Sequence, residues 1–182
     1  EGRLRRVRGK GTFVAPNPLV SRLHLASFSD EMGYQKVQAS SRILLGERSA
    51  APGEVCAFFG TEASVSHTHL RRLRLGDGEP YSIDDGWYNS AFAPTLLEND
   101  IYNSVYSILD NTFKVPITEA EQTVTAVAAE EDIAELLDVS PGTPLLHITR
   151  LARSGDRPVE WCSSVYRTDR YRLTTHVSRS RI

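Results

Sequence analysis

Cysteine is nearly absent, with only Cys56 and Cys162 in 182 residues. Two isolated cysteines make neither a disulfide framework nor a metal-ligand spacing. That excludes a disulfide-stapled secreted scaffold and fits a reducing cytosol. No apolar run approaches the roughly 18 residues that a membrane-spanning helix requires, and no signal-peptide pattern opens the chain. A cytoplasmic location with no membrane partner is expected. An excess of one charge sign is missing too; the net value is −2, which argues against nonspecific nucleic-acid binding by the body of the chain. There is no Gly-x-Ser-x-Gly elbow, no phosphate-binding glycine loop and no metal-type ligand spacing. No catalytic residue, cofactor or metal is therefore expected.

What is present is the composition of an ordinary globular protein, 40% hydrophobic and 24% charged, long enough for one well-packed domain and short for two. The charge is unevenly spread. Arg3, Arg5, Arg6, Arg8 and Lys10 crowd the first ten residues beside the single acid Glu1. Removing these from the totals of 21 basic and 23 acidic residues leaves 16 against 22. A cationic edge on an acidic body suggests that one end meets a polyanion. A solvated basic tail is the plain alternative. Ala15-Pro16-Asn17-Pro18 reads as a linker, because paired prolines disfavour both helix and hydrogen-bonded sheet.

An internal echo follows. A shift of 78 positions lays Arg72-Leu73 on Arg150-Leu151, His69 on His147, Pro80 on Pro158 and Tyr88 on Tyr166. The same shift lays Val55, Phe58 and Phe59 over Ile133, Leu136 and Leu137, apolar spacing suited to a helix. Each copy reads as a long strand, a helix, a strand, a tight turn and a strand. The turns are Gly76-Asp77-Gly78-Glu79-Pro80 and Ser154-Gly155-Asp156-Arg157-Pro158. The entering strands lie around Gln38–Glu47 and Ile117–Ala128. Between the copies, Asn103 to Asn111 reads as a short helix capped by Asn103 or Ser104, with Val105, Ile108 and Leu109 buried. With no regular βαβ alternation, the pattern implies an α+β fold: a mostly antiparallel sheet flanked by helices, with an internal two-fold repeat.

Several residues carry candidate chemistry. Arg72 and Arg74 alternate onto one strand face, and two neighbouring guanidiniums suit a phosphate or carboxylate. A cross-strand ion pair with Asp84 or Asp85 is the other reading. Ser104 stands at a helix start, where unpaired N–H groups favour anions; a plain cap is compatible with that. Glu160, Cys162, Ser164 and Tyr166 share one strand face opposite Trp161 and Val165. Asp84 and Tyr88 do likewise opposite Ile83 and Trp87. These polar faces suit a cleft with Asp84 and Glu160 accepting hydroxyls; a solvated sheet face is the alternative. His67, His69 and His147 are expected to be structural, and Phe58, Phe59, Trp87 and Trp161 to be core.

The motifs resemble one family across nearly the whole chain from Ser27 onward. Ser27-Phe28-Ser29-Asp30-Glu31-Met32 resembles the SFSEEM-type loop of the UTRA domain, and Arg72-Leu73-Arg74 with Gly76-Asp77-Gly78-Glu79-Pro80 its arginine hairpin. Asn103-Ser104-Val105-Tyr106 is similar to its helix-opening SLY, and Pro158-Val159-Glu160 and Tyr166-Arg167-Thr168-Asp169-Arg170-Tyr171 to its closing motifs. Gly9-Lys10-Gly11-Thr12-Phe13-Val14 resembles the end of the winged helix in GntR-type transcription regulators, whose HutC subfamily carries UTRA as effector-binding half.

The resemblance implies a chorismate-lyase-like fold and a homodimer whose small-molecule effector modulates binding to operator DNA, with repression as the expected sign. Residues 1–15 are then the remnant of a winged-helix DNA-binding domain cut just inside the wing, with Arg5, Arg6, Arg8 and Lys10 as DNA contacts. Residues 16–182 are the effector-binding domain. In sugar-phosphate-sensing members the serine loop, the hairpin arginines and the SLY helix start hold the anion, while acidic and tyrosine residues hold the polyol. Carried over, this assigns the effector to Ser27, Phe28, Ser29, Arg72, Arg74, Asp84, Ser104, Tyr106, Glu160 and Tyr166. The expected effector is a sugar phosphate ahead of an organic acid. Asp84 departs from the pattern, since that position is commonly Glu, and the shorter side chain puts direct polyol contact in doubt. The rival is a small-molecule enzyme of the same fold using the carboxylates of the cleft.

Overall fold

The computed structural model describes residues 27–175 in full and, before them, the backbone of three short strands. Strands β1 (Leu4–Val7) and β2 (Gly11–Val14) pair antiparallel from Leu4↔Val14 to Val7↔Gly11. Residues 15–18, the proline linker, lie outside the described residues, as do Arg8 and Lys10. Next come β3 (Leu19–Arg22), α1 (Phe28–Tyr34), β4 (Ala39–Ala50), α2 (Gly53–Phe59), β5 (Ser66–Gly76) and β6 (Glu79–Tyr88). A 3-10 turn (Leu96–Glu98), α3 (Val105–Asn111), β7 (Glu119–Ala128), α4 (Glu131–Leu137), β8 (Pro144–Ser154), β9 (Arg157–Arg167) and β10 (Tyr171–Thr174) complete the chain.

Six strands form one sheet in the order β4-β5-β6-β9-β8-β7, with every neighbouring pair antiparallel. The local sequence explains the hairpins that build it. Between β5 and β6 only Asp77 and Gly78 intervene, with φ of 50° and 79°. Two successive left-handed residues are what a type I′ turn requires, and Asp-Gly is among the pairs that supply them most readily. The side chain of Asp77 also accepts a hydrogen bond from the Gln38 amide at 2.9 Å, which ties the turn to the start of β4. Gly155, with φ of 57°, opens the equally short β8–β9 turn.

Both sheet faces are covered. On one, α4 buries Ala134 and Leu137 against Leu73, Ile83 and Leu145, and α2 buries Val55, Cys56 and Phe59 against Trp87. On the other, α3 places Val105 and Leu109 with Leu70, Leu96 and Tyr88, while α1 sets Phe28 and Met32 against Tyr81, Ile148 and Tyr166. Each fully buried leucine contributes about 1.5–3 kcal/mol relative to exposure. The solvated-face reading of β6 and β9 is thereby corrected: Asp84, Glu160, Ser164 and Tyr166 are all buried, because α1 and α3 roof that face.

The order strand–helix–strand–strand occurs twice. Gly53, Ser66 and Glu79 open α2, β5 and β6, and Glu131, Pro144 and Arg157 open α4, β8 and β9, each 78 positions later. The sheet order is symmetric about the central β6–β9 pair.

The structure resolves two local readings. The segment from Ser27 is a helix rather than a loop. Ser27 caps it reciprocally with Asp30: the Ser27 hydroxyl accepts from the Asp30 amide, and the Asp30 carboxylate accepts from the Ser27 amide. At α3 the cap is Ser104, whose hydroxyl accepts from the Ser107 amide at 3.3 Å; Val105 and Leu109 are buried and Ile108 half-buried. Finally, β10 pairs in parallel with β3, from Tyr171↔Leu19 to Thr174↔Arg22, joining the two ends of the domain away from the main sheet.

Candidate functional site

Period-two alternation along β5 puts Leu70, Arg72 and Arg74 on the face roofed by α1 and α3. Both arginines are almost wholly buried, 5% and 2% exposed. Between them stands one carboxylate. Asp84 is the register partner of Arg72 across the β5–β6 pair, and its Oδ2 lies 3.8 Å from Arg72 Nη2 and 3.8 Å from Arg74 Nε. Asp84 also accepts a hydrogen bond from the Ser164 hydroxyl at 2.9 Å. The ion-pair reading of Arg72 and Arg74 is thus partly realised, with Asp84 rather than Asp85; Asp85 faces the opposite side of the sheet, beside His69 at 2.6 Å.

Two buried positive charges share one negative charge at a distance too long for a hydrogen bond. Arg72 Nη1 donates to the carbonyls of Ile101 and Asn103, at 3.3 Å each. Arg74 Nη2 donates to the Ser29 hydroxyl at 3.2 Å, and its guanidinium stands over the Phe28 ring at 4.7 Å. The Nε atoms of both arginines are buried without a hydrogen-bond partner. Burial first, then the like charge of Arg72, pushes the Arg74 pKa down to about 10 against the opposing pull of Asp84.

The starts of α1 and α3 meet at the mouth of this pair. The Ser104 hydroxyl donates to Ser27 Oγ at 3.4 Å, and the Ser27 hydroxyl donates in turn to Asp30 Oδ2 at 2.7 Å. Ser27 thus closes a cap and a helix contact here rather than offering a free donor. Across the floor, the Tyr106 hydroxyl donates to Glu160 Oε2 at 2.5 Å and accepts from Arg150 Nη1 at 3.2 Å. Burial, reinforced by Glu160, holds the Tyr106 pKa well above its ordinary value; burial does the same for Tyr166 and Cys162. Tyr166 stacks on Tyr171 with ring centroids 4.2 Å apart.

These groups line a recess with about 40 Å³ of room for the centres of water-sized groups. It adjoins an outer hollow of about 280 Å³ that shares Ser27, Ser104 and Tyr106 and whose other polar edge includes Asp30, Ser107, Asp110 and Asn111. Of the ten residues proposed from sequence, nine line the recess; Ser29 does not, but holds Arg74. Among the lining residues that sequence reasoning left out is Arg150. A signal for it was available, because the 78-residue shift already laid Arg72 on it. Arg5 and Arg6 fall in β1, where only the backbone is described.

The histidines have local partners. His67 lies edge-on to Phe59, beside the Thr61 hydroxyl at 3.0 Å, and His147 contacts Thr125 and Ser163. His69 stacks flat on Trp87 at 4.1 Å.

With this geometry in place, the chain compares with known proteins as follows. The family model for the UTRA domain matches residues 34–172. The chain is 29% identical over 181 residues to the HTH-type transcriptional repressor NagR of Bacillus subtilis, covering 98% of this chain and 74% of that protein. It is also 29% identical over 181 residues to the histidine utilization repressor of Pseudomonas putida, covering 98% and 72%. Its fold superposes on the crystal structure of PhnF from Mycobacterium smegmatis with a TM-score of 0.84, at 22% identity, over 98% of this chain and 79% of that one. NagR and the histidine utilization repressor are transcriptional repressors, which sets aside the reading of the recess as an enzyme's carboxylate cleft. A sheet roofed by two capped helices, a buried arginine hairpin facing a Tyr–Glu pair, and a match over residues 34–172 place this chain in the UTRA family, the effector-binding domains of HutC-type GntR transcription regulators.

Proposed function

We propose that the recess binds a small anionic effector, a sugar phosphate ahead of an organic acid, between Arg72, Arg74 and the cap of α3. The observation that carries this is the shortage of counter-charge. Two buried guanidiniums face one carboxylate at 3.8 Å and keep two buried Nε–H donors unpaired. Taking a cation out of water costs several kcal/mol unless paired, so a site built this way gains most from a ligand that brings negative charge. Asp84 then acts as the resident counter-ion, and Glu160, fixed by Tyr106, is the hydroxyl acceptor for the rest of the ligand. Ser29 and Phe28 hold Arg74 in place, one by a hydrogen bond and one by its ring face.

Occupancy is reported to operator DNA. The hairpin of β1 and β2, whose first strand carries Arg5 and Arg6, is the wing edge of a winged helix, and Arg8 and Lys10 belong to the same basic stretch. In chain order, β3 and the cap of α1 come between that hairpin and Arg74. A cytoplasmic homodimer would present two such wings, and effector binding would shift the population of dimer geometries and so the spacing of two recognition helices. Repression is the sign that the relatives' names support.

The test is a thermal-shift screen of sugar phosphates and organic acids, with hits carried into a fluorescence-anisotropy operator assay on the full-length regulator. Anionic hits should raise the melting temperature, because a bound ligand stabilises by RT ln(1 + [L]/Kd), and should change operator affinity. Stabilisation by uncharged compounds alone would refute the anion site. Operator binding indifferent to every stabilising ligand would refute the coupling.

A further inference from the structure

We propose that the effector carries a second acidic group, received by Arg150 at the wall of the recess opposite Arg72 and Arg74. This rests on the reading that the recess holds an anion, and it narrows the ligand class to molecules acidic at both ends, such as phosphorylated sugar acids.

The two halves of the sheet differ at one informative place. Arg72 in β5 and Arg150 in β8 are counterparts at the 78-residue offset. Each faces a register partner on the adjoining central strand: Arg72 faces Asp84, and Arg150 faces Cys162. Asp84 and Cys162 are counterparts as well. One half therefore sets a carboxylate across from its arginine, and the other sets a buried thiol there.

Arg150 is accordingly oriented with no carboxylate in direct ion-pair contact among the described residues, and Glu160 acts on it only past the Tyr106 hydroxyl. Its Nη1 donates to the Tyr106 hydroxyl at 3.2 Å, and with the Gln122 amide turned so that its oxygen faces Arg150, Nε and Nη2 both donate to that oxygen at 2.9 Å. Both acceptors are uncharged. Among the described residues it forms no ion pair, whereas Arg167 and Arg170 reach carboxylates at 2.9 and 2.8 Å. Glu160 is the one acid nearby, and its Oε2 is taken by the Tyr106 proton at 2.5 Å; the tyrosine hydroxyl thus stands between that carboxylate and the guanidinium. A guanidinium has five N–H donors and three of its nitrogens each use one here, so donors remain for a ligand.

The geometry also sets the ligand's length. Three inter-strand spacings of about 4.8 Å separate β5 from β8, so their backbones stand roughly 14 Å apart. Long side chains from both walls nevertheless line the same recess. Two acidic groups joined by a short hydroxylated chain span that interval, with Glu160 available to the hydroxyls between them.

The experiment is isothermal titration calorimetry of the intact chain with two probes differing only at one end. These are 6-phosphogluconate, with phosphate and carboxylate at opposite ends, and glucitol 6-phosphate, with a hydroxymethyl group in place of the carboxylate. The wild type should favour 6-phosphogluconate at least tenfold, roughly what one charge-assisted bidentate contact supplies. Arg150→Gln should erase the preference, lowering 6-phosphogluconate affinity at least tenfold more than that of glucitol 6-phosphate, whose phosphate still meets Arg72 and Arg74. Cys162→Asp keeps Arg150 but gives it the carboxylate that its counterpart has, and should erase the preference too; this variant decides the matter if Arg150→Gln fails to fold. Equal affinities in the wild type, or a preference that survives either folded variant, would overturn the proposal. So would inorganic phosphate binding with neither probe competing. Failure of inorganic phosphate itself to bind would instead strike at the anion site formed by Arg72 and Arg74.

Discussion

Asp84→Asn isolates the electrostatics of the site in a single isosteric change. Among the described residues, Asp84 is the one carboxylate in ion-pair reach of Arg72 and Arg74, at 3.8 Å from each, and the two arginines are 5% and 2% exposed. Removing one member of a buried ion pair costs about 3–5 kcal/mol, because the remaining charge is left uncompensated. The long separations place this case at the lower end, about 3 kcal/mol. For a domain of this size each kcal/mol lowers Tm by about 2–4 °C, so a fall of about 6–12 °C is expected in low-salt buffer without oxyanions. An anion bound between the guanidiniums restores the missing charge, so phosphate should rescue the variant. At a concentration of about 100 times Kd the recovery is about 2.7 kcal/mol, most of the loss. The assay is a melting curve of wild type and variant across a phosphate series, with chloride at matched ionic strength as control. A variant as stable as the wild type, or one that chloride restores as well as phosphate does, would refute the claim that these arginines lack counter-charge.

Other outcomes follow from the same structure. Leu137→Ala empties a fully buried position where α4 meets Leu73, Ile83 and Leu145, and should cost about 2–5 kcal/mol in chemical denaturation while leaving phosphate affinity unchanged. Tyr106→Phe deletes the hydroxyl that joins Glu160 to Arg150; hydrogen bonds to charged groups are worth about 1.5–3 kcal/mol, and the loss should appear in both stability and ligand affinity. Tyr88 and Tyr166 are buried and Tyr106 is half-buried, and all three pKa values are held above the ordinary value of 10.0. A raised folded-state pKa gives stability that is complete below the unfolded value and lost as pH rises beyond it. Stability should therefore fall above about pH 10, by up to about 1.4 kcal/mol per pH unit for each tyrosine, and less steeply in Tyr106→Phe. A denaturant midpoint that stays flat to pH 11.5 would contradict the burial of these hydroxyls.

The sequence was most legible where structure is set by near neighbours. The β5–β6 hairpin follows from Asp77-Gly78 and the alternation of Arg72 and Arg74, and the shared face of Glu160, Ser164 and Tyr166 follows from period two alone. The helix α1 escaped because its seven residues, Phe28–Tyr34, are too few for a helical period to show. The Ser27–Asp30 capping box was nonetheless written in the chain. That the polar face is buried could not be read locally, since it depends on α1 and α3 folding over the sheet. The 78-residue shift laid Arg72 on Arg150, but that its side chain reaches Tyr106 and the recess depends on the strand order, with β8 beside β9. The parallel pairing of Tyr171 with Leu19 joins distant segments and left no local trace.

The most direct test of the account is a crystal of this chain grown with selenate, a tetrahedral oxyanion whose selenium can be located by anomalous scattering. The expected result is one dominant peak bounded by Arg72, Arg74 and Ser104, lost in the Arg72→Ala, Arg74→Ala double variant. Selenium at the protein surface only, with that position unoccupied at a concentration that saturates stabilisation in solution, would contradict it.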